Sequence, residues 1–205
     1  MRAAHHSELV ELAKYATIPV INGLTNEEHP CQVLADLLTI MDHRKMKHPQ
    51  ELKGFRLSYL GDGNNVAQSW MLAAGLLGIN LKLACPKRYQ PKKEFLRGGK
   101  IDVLVDPVAA VKGADAVYTD VWASMGQEAE SQKRQVVLAP YQVNKKILRH
   151  AAKNVLVMHC LPAHRGEEIT DEVIEGPHSV IFDQAENRLH VQKAILAALL
   201  SDKKR

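Results

Sequence analysis

Eight consecutive residues, His159-Cys160-Leu161-Pro162-Ala163-His164-Arg165-Gly166, place a thiol, two imidazoles and a guanidinium directly behind the apolar run Val155–Met158. A short apolar run closed by proline and glycine predicts a buried strand. Open α/β sheets place their ligands beyond the carboxyl ends of such strands, and a plain turn needs none of these side chains. A second group, Thr119-Asp120-Val121-Trp122-Ala123-Ser124-Met125-Gly126, follows the apolar Ala116-Val117-Tyr118. An aspartate there can hold a substrate ammonium, and Ser124 and Gly126 suit a polar-contacting loop; an exposed turn with Asp120 capping a helix accounts for the same residues. His29-Pro30-Cys31-Gln32 opens a helix, with proline where a helix tolerates it best. His29 and Gln32 share a face and can offer donors to a carbonyl or phosphate oxygen, or His29 can simply cap the helix. Gly61-Asp62-Gly63-Asn64-Asn65-Val66 starts like a dinucleotide fingerprint but has Val66 at the third glycine, so NAD is not expected. Two glycines make a tight strand-to-helix turn, from which Asn64 or Asn65 can present an amide at a helix N-terminus.

Two other chemistries use the same side chains. A metal site of His29, Cys31, His159 and Cys160 matches no standard ligand spacing. A cysteine hydrolase would pair Cys160 with His159 or His164, but neighbouring residues on a strand face opposite ways, which works against His159.

The whole chain narrows the choice. Its 205 residues suffice for one core, or one core plus an appended segment. The composition, 46% hydrophobic and 24% charged, is that of an ordinary globular domain. A net charge of +4 suits a small anionic substrate but is too small and dispersed for nucleic acid. Three widely spaced cysteines with no CxxC pair argue against a zinc knuckle or a disulfide framework. They fit reduced thiols in a cytoplasmic or matrix-like compartment. No signal peptide and no apolar run near 18 residues are present, so neither export nor a membrane is expected.

From residue 56 the elements alternate. Strands are expected at Arg56–Leu60, Ile79–Ala84, Ile101–Val105, Asp115–Thr119, Val155–Met158 and Val180–Asp183. Helices are expected at Val66–Leu77, Pro91–Leu96, Pro107–Lys112, Gln142–Ala152 and Thr170–Glu175. That alternation predicts βαβ units and an α/β fold with a parallel sheet covered on both faces. Ahead of it, Ser7–Ala16 reads as a helix capped by Ser7, Ile18–Ile21 as a strand, and His29–Met41 as a helix. The last carries a stripe of Val33, Leu34, Leu37, Leu38 and Met41. At the far end Glu186–Leu200 reads as a helix whose last third is apolar almost all round and needs covering.

Taken together, His29-Pro30-Cys31-Gln32, Gly61-Asp62-Gly63-Asn64-Asn65, Asp120 with Ser124-Met125-Gly126, His159-Cys160-Leu161-Pro162 and Glu186-Asn187-Arg188-Leu189-His190 occur in one order. In that order they resemble the ornithine carbamoyltransferases, over nearly the whole chain. The related aspartate enzymes share the His-Pro-x-Gln element but lack the Ser-Met-Gly loop and the cysteine of His-Cys-Leu-Pro. The resemblance implies carbamoyl transfer from carbamoyl phosphate to the δ-amine of L-ornithine, with no metal or organic cofactor. It implies that Arg2, His29, Gln32 and Arg188 hold carbamoyl phosphate, with Cys160 and Leu161 beside the reacting centre. Asn65, Asp120, Ser124 and Met125 would contact ornithine, and Cys160, Asp120 and Arg188 would be catalytic. The implied fold is a Rossmann-like doubly wound sheet, the ornithine-binding domain at 34–185. Residues 1–33 and the helix from 186 to 205 would then belong with a carbamoyl-phosphate domain.

Two departures bear on this expectation. The family's Ser-x-Arg-Thr-Arg phosphate loop does not occur in the sequence, which begins one residue before Arg2. Losing such charge-assisted contacts, at roughly 1.5–3 kcal/mol each, would leave little carbamoyl-phosphate binding. The chain is therefore expected to be the ornithine-binding portion of a carbamoyltransferase, truncated, split or degenerate. The segment Phe95–Lys100 is also shorter than its counterpart in the family. The family's trimeric state makes a homo-oligomer, or a complementary N-terminal chain, the expected partner. The alternatives are a non-catalytic amino-acid-binding module and a carbamoyltransferase for another amine such as putrescine or an acylated ornithine.

Overall fold

Five strands follow the apolar runs: β1 (Arg56–Leu60), β2 (Asn80–Ala84), β3 (Lys100–Leu104), β4 (Ala116–Thr119) and β5 (Leu156–His159). All pair in parallel, in the order β3-β2-β1-β4-β5. The structure is a computed structural model describing residues 1–123 and 130–201. Alternate residues along each strand feed two cores. Leu57, Tyr59, Tyr118, Leu156 and Met158 face one layer, while Leu60, Val117 and Val157 face the other. The first layer holds α2 (Pro30–Arg44) and α3 (Asn65–Leu77). The second holds α4 (Pro107–Val111), α5 (Ser131–Leu138), α6 (Lys145–Leu148) and α7 (Asp171–Ile174). The doubly wound α/β expectation is met. At the middle, Tyr59 and Tyr118 lie opposite one another in register, their rings stacked at 5.5 Å, and Trp70 meets Tyr118 edge-on.

The turn after β1 shows why it needs two glycines. Gly61 has φ +124°, and a Cβ on Gly63 would lie 2.3 Å from the nitrogen of Pro91. The link after Phe95 packs straight onto α3, where the Arg97 carbonyl approaches Gly75 too closely for any side chain.

Five secondary-structure expectations change. Val180–Asp183 is not a strand: the chain touches β5 through one bridge, Val157 to Ser179, and then enters α8 (Ile181–Leu200). Buried Ile181, Gln184 and Asn187, spaced by three, mark it as helical from its first turn. Ile18–Ile21 pairs with nothing as a strand, Ile18 is exposed, and the nearest pairing is a bridge between Arg2 and Leu24. Ser7 lies inside α1 (His6–Tyr15), whose first amide, that of His6, is satisfied by Asn26 Oδ1 instead. The Gln142–Ala152 helix shrinks to α6, capped by Asn144, and Pro91–Leu96 to a 3₁₀ turn at Lys93–Phe95. Helix α5 went unforeseen because only Arg134 and Leu138 along it are buried, too thin a stripe to register as periodic.

Helices α2 and α8 lie against each other and are joined by polar side chains. Arg188 donates to Gln32, Gln184 to Asp36 at 2.7 Å, Asn187 to Thr39 at 3.0 Å, and His43 meets Asp183 at 2.8 Å. The end pairs, Gln32 with Arg188 and His43 with Asp183, set the start of α2 against the later residue of α8, so the helices run in opposite senses. Leu34, placed on the core stripe, is exposed; the buried face of α2 instead takes in Gln32, Asp36 and Thr39.

Candidate active site

The strand order reverses between β1 and β4, and a sheet of this kind opens a crevice at the carboxyl ends of those two strands. β1 delivers the Gly61–Asn65 turn there, β4 delivers Asp120 and β5 delivers Cys160. Asn64 caps α3 by accepting from the amides of Val66 and Ala67. Its Oδ1 also accepts from the Tyr59 hydroxyl at 3.0 Å. Because these donors occupy the oxygen, its Nδ2 points to Asp120 and donates to Oδ2 at 2.6 Å. Asp120 Oδ1 accepts from the Cys160 thiol at 2.9 Å and from the Val121 amide at 2.8 Å. Among the described residues, three of a carboxylate's roughly four acceptor sites are thus filled, which leaves about one for a further donor. Burial first, and then the neighbouring Asp120 charge, pushes the Cys160 thiol well up, so it stays protonated as a donor.

The loop carrying Cys160 is held from below. The Leu161 amide donates to His159 Nδ1 at 2.9 Å, which leaves the ring proton on Nε2, 3.1 Å from Glu168 Oε1. Glu168 also accepts from the His164 amide, and both side chains of the His159–Glu168 pair are fully buried. This bracing keeps Leu161 at φ +57°, a left-handed conformation that a leucine adopts at a cost. Asp120, His159 and Cys160 bring potential ligand atoms within 4.8 Å of one another. Both ring nitrogens of His159 are already engaged and the thiol is committed to Asp120, so neither a Cys160–His159 nucleophilic pair nor a free ligand set exists here. His164 is exposed, and Arg165 turns outward to Asp171 and Glu175.

The second group of residues lines a cleft of about 440 Å³ whose walls include Arg2, His29, Cys31, Arg188 and Gln192. The His29 amide is anchored on Ser69 Oγ at 2.7 Å, while its ring Nδ1 and the Arg188 Nε are buried without a partner among the described residues. Burial, and then the charges of Arg188 and Arg2, hold His29 down at about 4, so at neutral pH it is an uncharged donor beside two guanidinium groups. That combination can receive an anionic oxygen. Cys31 donates to the Asn22 carbonyl and is not free for the cleft. Gln32 is buried, with Nε2 on Asp36 Oδ1 at 2.8 Å and Oε1 accepting from Arg188.

Of the candidate residues, Asp120, Cys160 and Leu161 gather at the sheet end, and Arg2, His29 and Arg188 at the cleft, with Gln32 buried behind Arg188. Asn65 turns away from Asp120 and gives its amide to the Thr25 carbonyl at 2.7 Å; Asn64 takes the place beside Asp120. Ser124 and Met125 lie outside the described residues. Sequence reasoning missed Asp36, Gln184 and Glu168. A carboxylate set directly between Ala35 and Leu37 in a largely apolar helix was the available signal for Asp36.

Known proteins resemble the chain over nearly its whole length. A profile described as the Asp/Orn binding domain of aspartate/ornithine carbamoyltransferase matches residues 53–199. One described as the carbamoyl-P binding domain of the same family matches residues 1–42. An ornithine carbamoyltransferase of Archaeoglobus fulgidus is 54% identical over 205 residues, covering 98% of this chain and 65% of the relative. An anabolic ornithine carbamoyltransferase of Pyrococcus furiosus is 50% identical over 208 residues, covering 97% and 64%. The solved ornithine carbamoyltransferase of Pyrococcus furiosus superposes with a TM-score of 0.91 at 50% identity, covering 99% of this chain and 66% of that one. The chain thus spans a little under two thirds of the length of these curated relatives.

Proposed function

Because the chain belongs to the aspartate/ornithine carbamoyltransferase family, we propose that it serves carbamoyl transfer from carbamoyl phosphate to the δ-amine of L-ornithine. The products are L-citrulline and phosphate, and no metal or organic cofactor takes part. In the reaction the neutral amine forms a bond to the carbamoyl carbon, the bond from that carbon to the phosphate oxygen breaks, and the proton the amine gives up goes to the departing phosphate. Arg2, His29 and Arg188 receive the phosphate and the carbonyl oxygen, where charge builds in the tetrahedral transition state. Gln32 steadies Arg188 for that task. Asp120, with its remaining acceptor site, takes a substrate ammonium or amine N–H, and Cys160 and Leu161 border the reacting carbon. Asn65, Ser124 and Met125 complete the ornithine contacts. Most of the acceleration comes from holding two substrates in line.

The observation that carries this reading is the Asp120 carboxylate, fixed by Asn64 and a protonated Cys160 at the sheet's switch point. Residues 34–185 are assigned as the ornithine-binding domain, with 1–33 and 186–205 forming the carbamoyl-phosphate side. Three cysteines without a disulfide among them suit the cytoplasm. No helix among the described residues is long and apolar enough to cross a membrane. A homo-oligomer, a trimer as in the family, is the proposed assembly.

The test is citrulline formation by the purified chain given ornithine and carbamoyl phosphate, with Arg188→Ala as control. Turnover that Arg188→Ala abolishes supports the transferase. Ornithine binding without turnover reduces the reading to an amino-acid-binding half that needs a partner chain. Preference for putrescine in the same assay replaces ornithine as the substrate.

A further inference from the structure

A buried carboxyl lies between the two groups of site residues, and the reaction as described does not use it. Asp36 is fully buried on α2, and its Oδ1 accepts both from Gln32 Nε2 at 2.8 Å and from Gln184 Nε2 at 2.7 Å. A carboxamide has a donor end and an acceptor end, so the Oδ1 acceptor, with or without a proton on Oδ2, dictates which way round each amide sits. With its NH₂ on Asp36, Gln32 must present Oε1 to Arg188; reversed, it would set an NH₂ against a guanidinium. Gln184 likewise presents Oε1 to the amide of His159 at 3.0 Å, at the end of β5, while its Nε2 also reaches the Tyr118 hydroxyl at 3.1 Å. One chain of bonds therefore runs from the cleft guanidinium, through Gln32, Asp36 and Gln184, to the residue preceding Cys160.

We propose that Asp36 is a positioning residue that aligns the two half-sites. Through Gln32 it sets the Arg188 guanidinium for an anionic oxygen, and through Gln184 it sets the end of β5 that carries Cys160. The identity of the ligands rests on the carbamoyltransferase reading; the alignment itself is present without them. A residue that merely fastened α2 to α8 would affect stability and leave Arg188 where it is. Asn187, which bonds Thr39 and Asp42 across the same helix pair, supplies that comparison.

The experiment is side-chain NMR of the ligand-free, ¹⁵N-labelled chain, followed by titration with inorganic phosphate at fixed pH and ionic strength. Asp36→Leu keeps a similar volume and removes the acceptor that orients both amides. It is expected to move the Arg188 Nε–H and the Gln32 NH₂ resonances and to weaken phosphate about tenfold. Asn187→Leu should lower stability and leave both readouts alone. Gln184→Met, the second variant if Asp36→Leu does not fold, should move the His159 amide resonance and spare Arg188. The inference is overturned if Asp36→Leu leaves the Arg188 and Gln32 resonances in place, if Asn187→Leu moves them equally, or if Gln184→Met leaves the His159 amide unmoved. Failure of the unaltered chain to bind phosphate counts against the cleft as a phosphate site in this chain by itself, and the ligand-free resonances still decide the alignment.

Discussion

At the scale of single residues, environment decides chemistry. Cys160 looked like a nucleophile candidate, yet its burial beside a carboxylate keeps the proton on sulfur, and the thiol serves Asp120 as a donor. Asp120→Asn, which removes the charge and offers an NH₂ where Asn64 donates, is expected to abolish the stabilisation that ornithine confers in a thermal-shift assay. Cys160→Ser, which keeps a donor, should retain most of it. Two buried titratable groups pull stability in opposite directions with pH. His29 is held near 4 against an ordinary 6.5, so folding favours its neutral form. That contribution is complete above pH 6.5 and is lost as pH falls towards 4. Burial lifts Asp36 from 3.8 to about 7, against the pull of its bonds to Gln32 and Gln184. Folding there favours the protonated form, so its contribution is complete below 3.8 and is lost as pH rises to about 7. Urea unfolding between pH 4 and 7 should show the acid-side loss disappear in His29→Asn and the neutral-side loss disappear in Asp36→Asn.

At the scale of elements, the site depends on turns being held to one another across the sheet. The clearest tie is Arg134 of α5. Its guanidinium is buried, bonds Asp62 Oδ2 at 2.7 Å and the Trp122 carbonyl at 2.9 Å, and stacks over Tyr89 at 4.6 Å. It thereby joins the turn after β1 to the segment after β4, the two stretches that bring Asn64 and Asp120 together. Asp62→Ala would strand a buried cation and should cost about 3–5 kcal/mol in urea unfolding. Surface pairs such as Lys145–Glu172 should cost less than about 1 kcal/mol when broken. A loss of only surface-pair size for Asp62→Ala would mean that Arg134 relaxes into solvent and that the turns are tied in some other way.

At the scale of the whole molecule, two cores, one on each face of the sheet, make a rigid platform, while one helix reaches beyond it. The first half of α8 is anchored through Ile181, Gln184 and Asn187; farther on, Leu196, Leu199 and Leu200 are exposed, as the apolar end of that helix led one to expect. A ligand that binds only the folded chain adds stability by mass action, about 2.7 kcal/mol at a hundred times its Kd. For a domain of this size that is a rise in Tm of roughly 5–11 °C, at about 2–4 °C per kcal/mol. Ornithine and phosphate should each produce such a rise, and Arg188→Ala should remove the one caused by phosphate alone. Equal loss of both would place the two ligands in a single pocket instead of on the sheet end and the cleft.

The five strands of the sheet, the α/β class and the motifs that mark the family were legible in the sequence, because hydrophobic periodicity and glycine turns are local properties of the chain. So were Asp120 and Cys160, each standing at the end of an apolar run. Tertiary structure alone decided that Val180–Asp183 begins a helix, since only the crossing of α8 over α2 determines which of its residues are buried. It also decided that Asn64 and not Asn65 faces Asp120, because the cap on α3 uses up the Asn64 oxygen and turns its nitrogen outward. The same holds for Asp36. Its partners at 32 and 184 lie on different helices, one of them 148 residues away, and no local pattern reveals a hydrogen bond that only packing creates.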